Sequence, residues 1–142
     1  MRLFIGIDTG TDTGFAVWNG SAFTEVRTMK IHAALKRVAE LAEENPGEVC
    51  VIIEDANQRK WLPKERTESE YRGKLMGAGS VKRDSTIWKD FCKDLGIKFS
   101  AVPPRSGMTK WDQGYWERVT GWTGRTSEHA RDAALLVFGR KN

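Results

Sequence analysis

Four side chains have the types and the spacing to build one acidic pocket. Asp8 stands in Gly6-Ile7-Asp8-Thr9-Gly10, where an apolar run ends. Glu54 follows a second apolar run, Val49-Cys50-Val51-Ile52-Ile53. His129 and Asp132 are three residues apart near the C-terminus, a spacing that puts both on one face of a helix. Gathered carboxylates repel one another unless cations lie between them, and hard divalent ions prefer oxygen ligands. Two such ions about 4 Å apart activate a water and stabilise a leaving oxygen in phosphodiester hydrolysis. Each residue alone has an ordinary explanation. Asp and Gly are common in turns, Glu54 and Asp55 suit a solvated strand end, and His129 suits a helix surface. The chemical reading rests on their joint occurrence in this order.

For the pocket to form, the two apolar runs must be neighbouring strands. Residues 3–7 and 49–53 read as strands, the second apolar throughout and so covered on both faces. Residues 14–18 and 22–29 read as a hairpin around Asn19-Gly20, a type I′ turn signal, so the first three strands form an antiparallel meander. Ile31, Leu35, Val38, Leu41 and Ala42 recur at helical spacing, and Asn45-Pro46-Gly47 ends that helix. Residues 56–69 are polar, basic and broken by Pro63, and read as a mobile loop. Residues 70–95 read mainly as helix. Gly77 and Gly79 within it cost about 1 kcal/mol each, which predicts close backbone packing there. A strand at 97–102 closes on Pro103-Pro104, and a short helix follows over 106–119 with Ser106 as its cap. After a turn at 121–125, Ser127 caps a last helix through Ala130, Ala133, Ala134 and Val137. This order predicts one α/β domain spanning residues 1–142. Its five-stranded mixed sheet, first three strands antiparallel, is flanked by helices.

Composition narrows the class. A chain of 142 residues suits one core, and 39% hydrophobic with 30% charged residues excludes a disordered or membrane-embedded protein. No apolar run approaches the roughly 20 residues of a membrane span, and the N-terminus lacks a signal-peptide pattern, so a cytoplasmic location is expected. Cys50 and Cys92 make no disulfide framework and read as small buried residues in a reducing compartment. The formal net charge of +4 is unevenly spread. Residues 58–125 hold 15 basic and 8 acidic residues, net +7, and the remainder holds 8 and 11, net −3. A cationic segment beside a carboxylate pocket attracts polyanions such as nucleic acid. Of the six tryptophans, Trp18, Trp88 and Trp111 read as core or subunit interface, while Trp116 and Trp122 suit core packing and nucleic-acid contact equally. Trp88, Phe91 and Leu95 share a helical face that suits burial against a partner subunit.

The motifs together resemble the RuvC family of Holliday junction resolvases. Phe4-Ile5-Gly6-Ile7-Asp8-Thr9-Gly10 is similar to that family's Gly-Ile-Asp-Pro-Gly strand end, with Thr9 in place of the usual Pro. Thr13-Gly14-Phe15-Ala16-Val17 resembles its Thr-Gly-aromatic-Gly-Val strand. Val51-Ile52-Ile53-Glu54 resembles the strand of its second carboxylate, Met76-Gly77-Ala78-Gly79 its glycine-rich helix, and His129-Ala130-Arg131-Asp132-Ala133 its closing motif. The resemblance spans almost the whole chain. It implies a ribonuclease H-like fold and a crossover junction endodeoxyribonuclease that uses two Mg²⁺ or Mn²⁺ ions. Asp8, Glu54, His129 and Asp132 are then the catalytic and metal-site residues, with His129 either a ligand or a base beside the ligands. Lys110 takes the place of a basic residue near the scissile phosphate, with Arg105 a competitor for that role. The resemblance also implies a homodimer acting on branched DNA in recombination and repair. Trp61 is the candidate to probe the junction centre. The short chain suggests a trimmed member of the kind a phage or prophage carries, and a phage-encoded one would work in the host cytoplasm.

Rival readings remain. Gly6-Ile7-Asp8-Thr9-Gly10-Thr11 also resembles the phosphate-binding turn of sugar kinases and actin-like ATPases, but that fold needs two domains and a far longer chain. A ribonuclease H-like RNA-processing nuclease shares the Gly-x-Asp-x-Gly start. A non-catalytic nucleic-acid-binding module of the same fold is the third rival. If Arg59, Lys60, Lys64, Arg66, Arg72, Lys82 and Arg83 contact phosphates, log K for a four-way junction falls with log salt at a slope of about −5, for roughly 6 contacts. A fluorescence titration across salt concentrations checks this, and a flat response refutes it.

Overall fold

Five strands make one mixed sheet: β1 (Leu3–Asp8), β2 (Asp12–Trp18), β3 (Phe23–Lys30), β4 (Val49–Glu54) and β5 (Lys98–Val102). Their order is β3-β2-β1-β4-β5. β1 pairs antiparallel with β2 and β2 with β3, while β1–β4 and β4–β5 are parallel. Among the described residues there are four α-helices: α1 (Ile31–Glu44), α2 (Glu68–Leu95), α3 (Gln113–Thr120) and α4 (Glu128–Leu135). This computed structural model describes residues 2–58, 68–104 and 111–141, without the side chains of 68–78 and 81. Among the described residues no helix is long and apolar enough to cross a membrane. The mixed α/β sheet with an antiparallel start is the arrangement the sequence predicts.

The pleat sorts the core into two layers, because successive strand residues face opposite sides. Ile5 and Ile7 of β1, Phe15 and Val17 of β2, and Val49, Val51 and Ile53 of β4 face one way. There they meet Ala34, Val38 and Leu41 of α1 and Trp88 and Cys92 of α2. Phe4, Ala16, Trp18, Cys50 and Ile52 face the other way, toward Trp116 of α3 and Ala130, Ala133 and Ala134 of α4. β4 contributes to both layers, which explains its uninterrupted apolar run. α1 ends where Asn45 turns back: its backbone N–H and its Nδ2 both donate to the Leu41 carbonyl, at 2.9 and 3.0 Å.

Several local expectations change. The Asn19-Gly20 turn is not type I′, since Asn19 keeps a negative φ while only Gly20 is left-handed, at +97°. Instead the Asn19 Oδ1 accepts from the backbone N–H groups of Ser21 and Ala22, and the hairpin closes with a bulge at Val17/Trp18. The side chain builds a wider loop than the dipeptide alone suggests. α3 starts at Gln113, leaving out Trp111 and Asp112 of the expected helix, because Asp112 is extended and its carboxylate caps the Tyr115 N–H at 2.8 Å. Ser106 lies outside the described residues. Among the described residues nothing stands where a Cβ on Gly79 would be, so packing against them does not account for it. Of the expected loop 56–69, residues 56–58 form a single 3-10 turn, 68 and 69 already belong to α2, and 59–67 lie outside the described residues.

The aromatic expectations also sort themselves. Trp88 is fully buried against the sheet and Phe91 packs beside it, so this part of the helical face is filled by the chain's own core. Leu95, one turn on, is 52% exposed. Trp116 is fully buried and packs on Phe23, which decides it for the core; Trp111 and Trp122 are partly buried on the same layer. Both cysteines are buried, and burial, with Cys50 nearby, pushes the Cys92 thiol up to about 12. That keeps it protonated and unreactive at neutral pH.

The seat of α4 on the sheet depends on glycine. A Cβ at Gly6 would stand 2.1 Å from the Ala133 carbonyl oxygen, and one at Gly14 would stand 2.0 Å from the His129 carbonyl oxygen. Both obstacles are backbone, so a methyl group fits only if the whole helix lifts. Gly14→Ala is expected to destabilise the protein by about 2 kcal/mol or more and to lower Tm by about 6 °C or more. Thermal denaturation followed by circular dichroism checks this.

Candidate functional site

β1 and β4 run parallel and side by side, with Ile7 paired to Ile53. Asp8 and Glu54 therefore leave the sheet at adjacent positions. Alternation puts both on the face of Phe4, Gly6, Cys50 and Ile52, which is the face that α4 covers. Asp8 is mostly buried, with its side chain 14% exposed, and Glu54 is half-buried.

α4 brings the other two residues across this edge. Ser127 caps it by accepting from the Ala130 N–H at 3.1 Å, and Thr28 of β3 holds Ser127 through a hydroxyl–hydroxyl hydrogen bond. The first turn of α4 then lies against Gly14, where a Cβ would also be 3.0 Å from the Cβ of Asp8. The result is a contact of 3.0 Å between His129 Nδ1 and Asp8 Oδ2. An ionised carboxylate only accepts, so Nδ1 is the protonated nitrogen, and in the neutral ring Nε2 keeps its lone pair. The His129 side chain is 60% exposed, which excludes a buried structural histidine. Asp132 is half-buried three residues further along α4. Arg131, between them, turns away and donates to the carbonyls of Trp111 and Thr126 at 2.7 and 2.9 Å, tying α4 to the segments on either side of α3. Next to His129, the Lys30 ammonium donates to Asp12 at 2.6 Å. That hydrogen bond and the charge of Lys30 hold the Asp12 carboxyl below its ordinary value, with His129 acting in the same direction.

The opposite face of the same strand ends carries a network that sequence reasoning missed. Asp55, the residue after Glu54, is 3% exposed rather than solvated. Its carboxylate accepts from the Asn57 backbone N–H at 2.9 Å, the Lys89 ammonium at 3.1 Å and the Gln58 amide at 3.3 Å. Burial alone would raise this carboxyl, but these donors outweigh it and hold it below the ordinary carboxylate range. Ser85 is fully buried, its hydroxyl 3.3 Å from Thr9 Oγ1 and accepting from the Ala56 N–H at 3.3 Å. The partners lie 29 to 76 positions apart in sequence, so no local pattern announces them.

Of the residues expected to meet nucleic acid, Lys82 is half-buried on α2 and Arg83 is exposed, 3.8 Å from Asp84. Arg72 lies in α2 with its side chain undescribed. Arg59, Lys60, Trp61, Lys64, Arg66, Arg105 and Lys110 lie outside the described residues. The structure therefore puts Asp8 and Glu54 on one face of neighbouring strand ends and His129 in contact with Asp8, with Asp132 three residues further along α4. The donor chemistry, three carboxylates and an imidazole, suits a hard divalent ion. As the side chains stand, no group of three His, Cys, Asp or Glu residues among the described residues is close enough to hold one. A scan against protein-family models finds no match, and neither does a search of the curated proteins.

Asp55 gives this region a predictable acid response. Its folded carboxyl lies below the unfolded value of about 3.9, so its stabilisation is present above about pH 4 and is lost as pH falls through the folded value. Asp55→Asn is expected to cost about 2 kcal/mol at pH 7, the scale of hydrogen bonds to a charged group, with the gap from wild type narrowing as pH falls below about 4. Urea unfolding at a series of pH values tests this, and a gap that widens in acid refutes it.

Proposed function

We propose that this chain is a metal-dependent, structure-selective endonuclease that hydrolyses phosphodiester bonds in four-way or otherwise branched DNA. One observation carries the reading. Asp8 and Glu54 end neighbouring parallel strands on one sheet face, and α4, its backbone resting on Gly6 and Gly14, seats His129 against Asp8. The strand order, three antiparallel strands followed by two parallel additions, is consistent with the ribonuclease H-like arrangement that the sequence motifs imply.

Asp8, Glu54 and Asp132, with His129, would hold Mg²⁺ or Mn²⁺, two ions per site. Bound there, the ions would lower the pKa of an attacking water and neutralise charge on the departing 3′-oxygen. The protein's own groups supply the rest. Asp8 orients the His129 ring through Nδ1, which leaves Nε2 as the nitrogen able to take or deliver a proton. Lys110 would steady the scissile phosphate, and the basic residues between 59 and 83, with Arg105, would hold junction backbones. One domain carries one such site, so paired incision across a junction calls for a homodimer.

Asp8→Asn is expected to lower four-way junction cleavage with Mg²⁺ at least about 100-fold, the upper end of the loss caused even by removing a metal ligand's hydrogen-bond partner. Junction affinity should stay near wild type. A panel of branched, duplex and single-stranded DNA and RNA substrates separates the rivals. Preferential cleavage of RNA would indicate the RNA-processing nuclease, and tight binding without cutting a binding module. Equal cleavage by wild type and Asp8→Asn would overturn the proposal.

A further inference from the structure

Period-two alternation gives the strand ends two faces with different jobs. Asp8 and Glu54 point toward α4, and the next residue of each strand, Thr9 and Asp55, points toward α2. There both meet anchors one helical turn apart. Thr9 lies 3.3 Å from Ser85 Oγ, and Asp55 lies 3.1 Å from Lys89 Nζ. Residues 85 and 89 are i and i+4, so a single stripe of α2 grips both strand ends. The Thr9–Ser85 contact also crosses from strand to strand. The Thr9 hydroxyl donates to the Glu54 carbonyl at 3.4 Å, and the Ala56 N–H donates to Ser85 Oγ at 3.3 Å. Either hydroxyl can be the donor across the Thr9–Ser85 contact. The contacts form a chain from Ala56 through Ser85 and Thr9 back to Glu54, enclosing the two peptide units that flank Asp55, directly after Glu54. A proline at position 9 would have no hydroxyl to offer this chain.

We infer that Thr9, Ser85 and Lys89 are positioning residues, anchoring β1 and β4 to α2 so that the Asp8 and Glu54 carboxylates keep a fixed separation. The inference rests on the reading of those carboxylates as a divalent-cation site. A one-residue slip or a loosened strand end would leave both carboxylates present but too far apart to share an ion, whose ligands must converge at fixed distances.

The test uses the full chain and Mn²⁺ itself, titrated by calorimetry without DNA, alongside thermal melting. Thr9→Val keeps the shape and removes the hydroxyl. Ser85→Ala removes the bridge, and Lys89→Met removes the second anchor. Each is expected to weaken Mn²⁺ binding about tenfold, the loss typical of removing a ligand's supporting partner. Thr9→Ser, which keeps the hydroxyl, should restore wild-type affinity. A purely structural role would lower Tm and leave Mn²⁺ affinity unchanged well below the transition. Asp8→Asn separates the two layers of the argument. If it abolishes Mn²⁺ binding while Thr9→Val and Lys89→Met bind normally, the anchoring inference fails and the cation site stands. If Asp8→Asn itself binds Mn²⁺ as wild type does, the cation site falls and the inference falls with it. Should Ser85→Ala fail to fold, Thr9→Val and Lys89→Met, both at less buried positions, still decide the matter.

Discussion

The structure turns on how closely α4 approaches the sheet. At Gly6 and Gly14 the helix backbone comes so near β1 and β2 that no side chain fits between. Ordinary helix-on-sheet packing is held apart by layers of side chains. Here the contacts are made by glycine below and by Ala130, Ala133 and Ala134 above, all fully buried. The short separation brings a helix residue within hydrogen-bond reach of a carboxylate rooted in a strand. His129 meets Asp8 because the His129 peptide rests on Gly14, the cross-strand partner of Asp8. Lifting the helix by the radius of one methyl group would break that contact first.

That approach is useful only because the other face of the sheet is heavily secured. α1 and α2 bury Val38, Leu41, Trp88 and Cys92 against the inner residues of β1, β2 and β4. Apolar burial on this side comes from large side chains interlocked along the strands. The α4 side has small residues near the strand ends and large aromatic ones further away, with Trp18, Phe23, Trp116 and Phe138 stacked at the hairpin end. The layer thus tapers, wide at the aromatic end and thin at the carboxylate end. A thin, glycine-lined layer is where polar groups can be brought together without leaving a void.

Parts of this were legible in the sequence for identifiable reasons. Asp8 and Glu54 stand where apolar runs stop, and a run that stops at a carboxylate marks both the strand end and the sheet edge it reaches. His129 and Asp132 were legible because their spacing matches a helical face and Ser127 marks the start of that helix. Such signals are local. The grip of α2 was not legible, because Thr9–Ser85 and Asp55–Lys89 join residues 76 and 34 positions apart. Asp55 looks like any strand-end charge until Lys89 is seen above it. The hairpin and the start of α3 went astray for a different reason. In both, a side chain, Asn19 Oδ1 or Asp112 Oδ1, took over backbone donors, and that choice depends on neighbours beyond the dipeptide.

Charge compensation follows the same division between scaffold and site. Around the sheet, the carboxylates of the scaffold meet permanent cations: Asp12 meets Lys30, Glu25 meets Arg27 and Arg37, and Asp55 meets Lys89. An ammonium or guanidinium stays charged across the neutral range, so each of these pairs is electrostatically closed. The contact that Asp8 makes with α4 is of another kind. An imidazole carries a full charge only when protonated, and it can donate from Nδ1 while remaining neutral overall. While the ring is neutral, this hydrogen bond orients Asp8 without placing a permanent positive charge beside it, as a lysine would. On this argument the imidazole at position 129 and the lysine at position 30 are not interchangeable, although each stands beside an aspartate at the same end of the sheet.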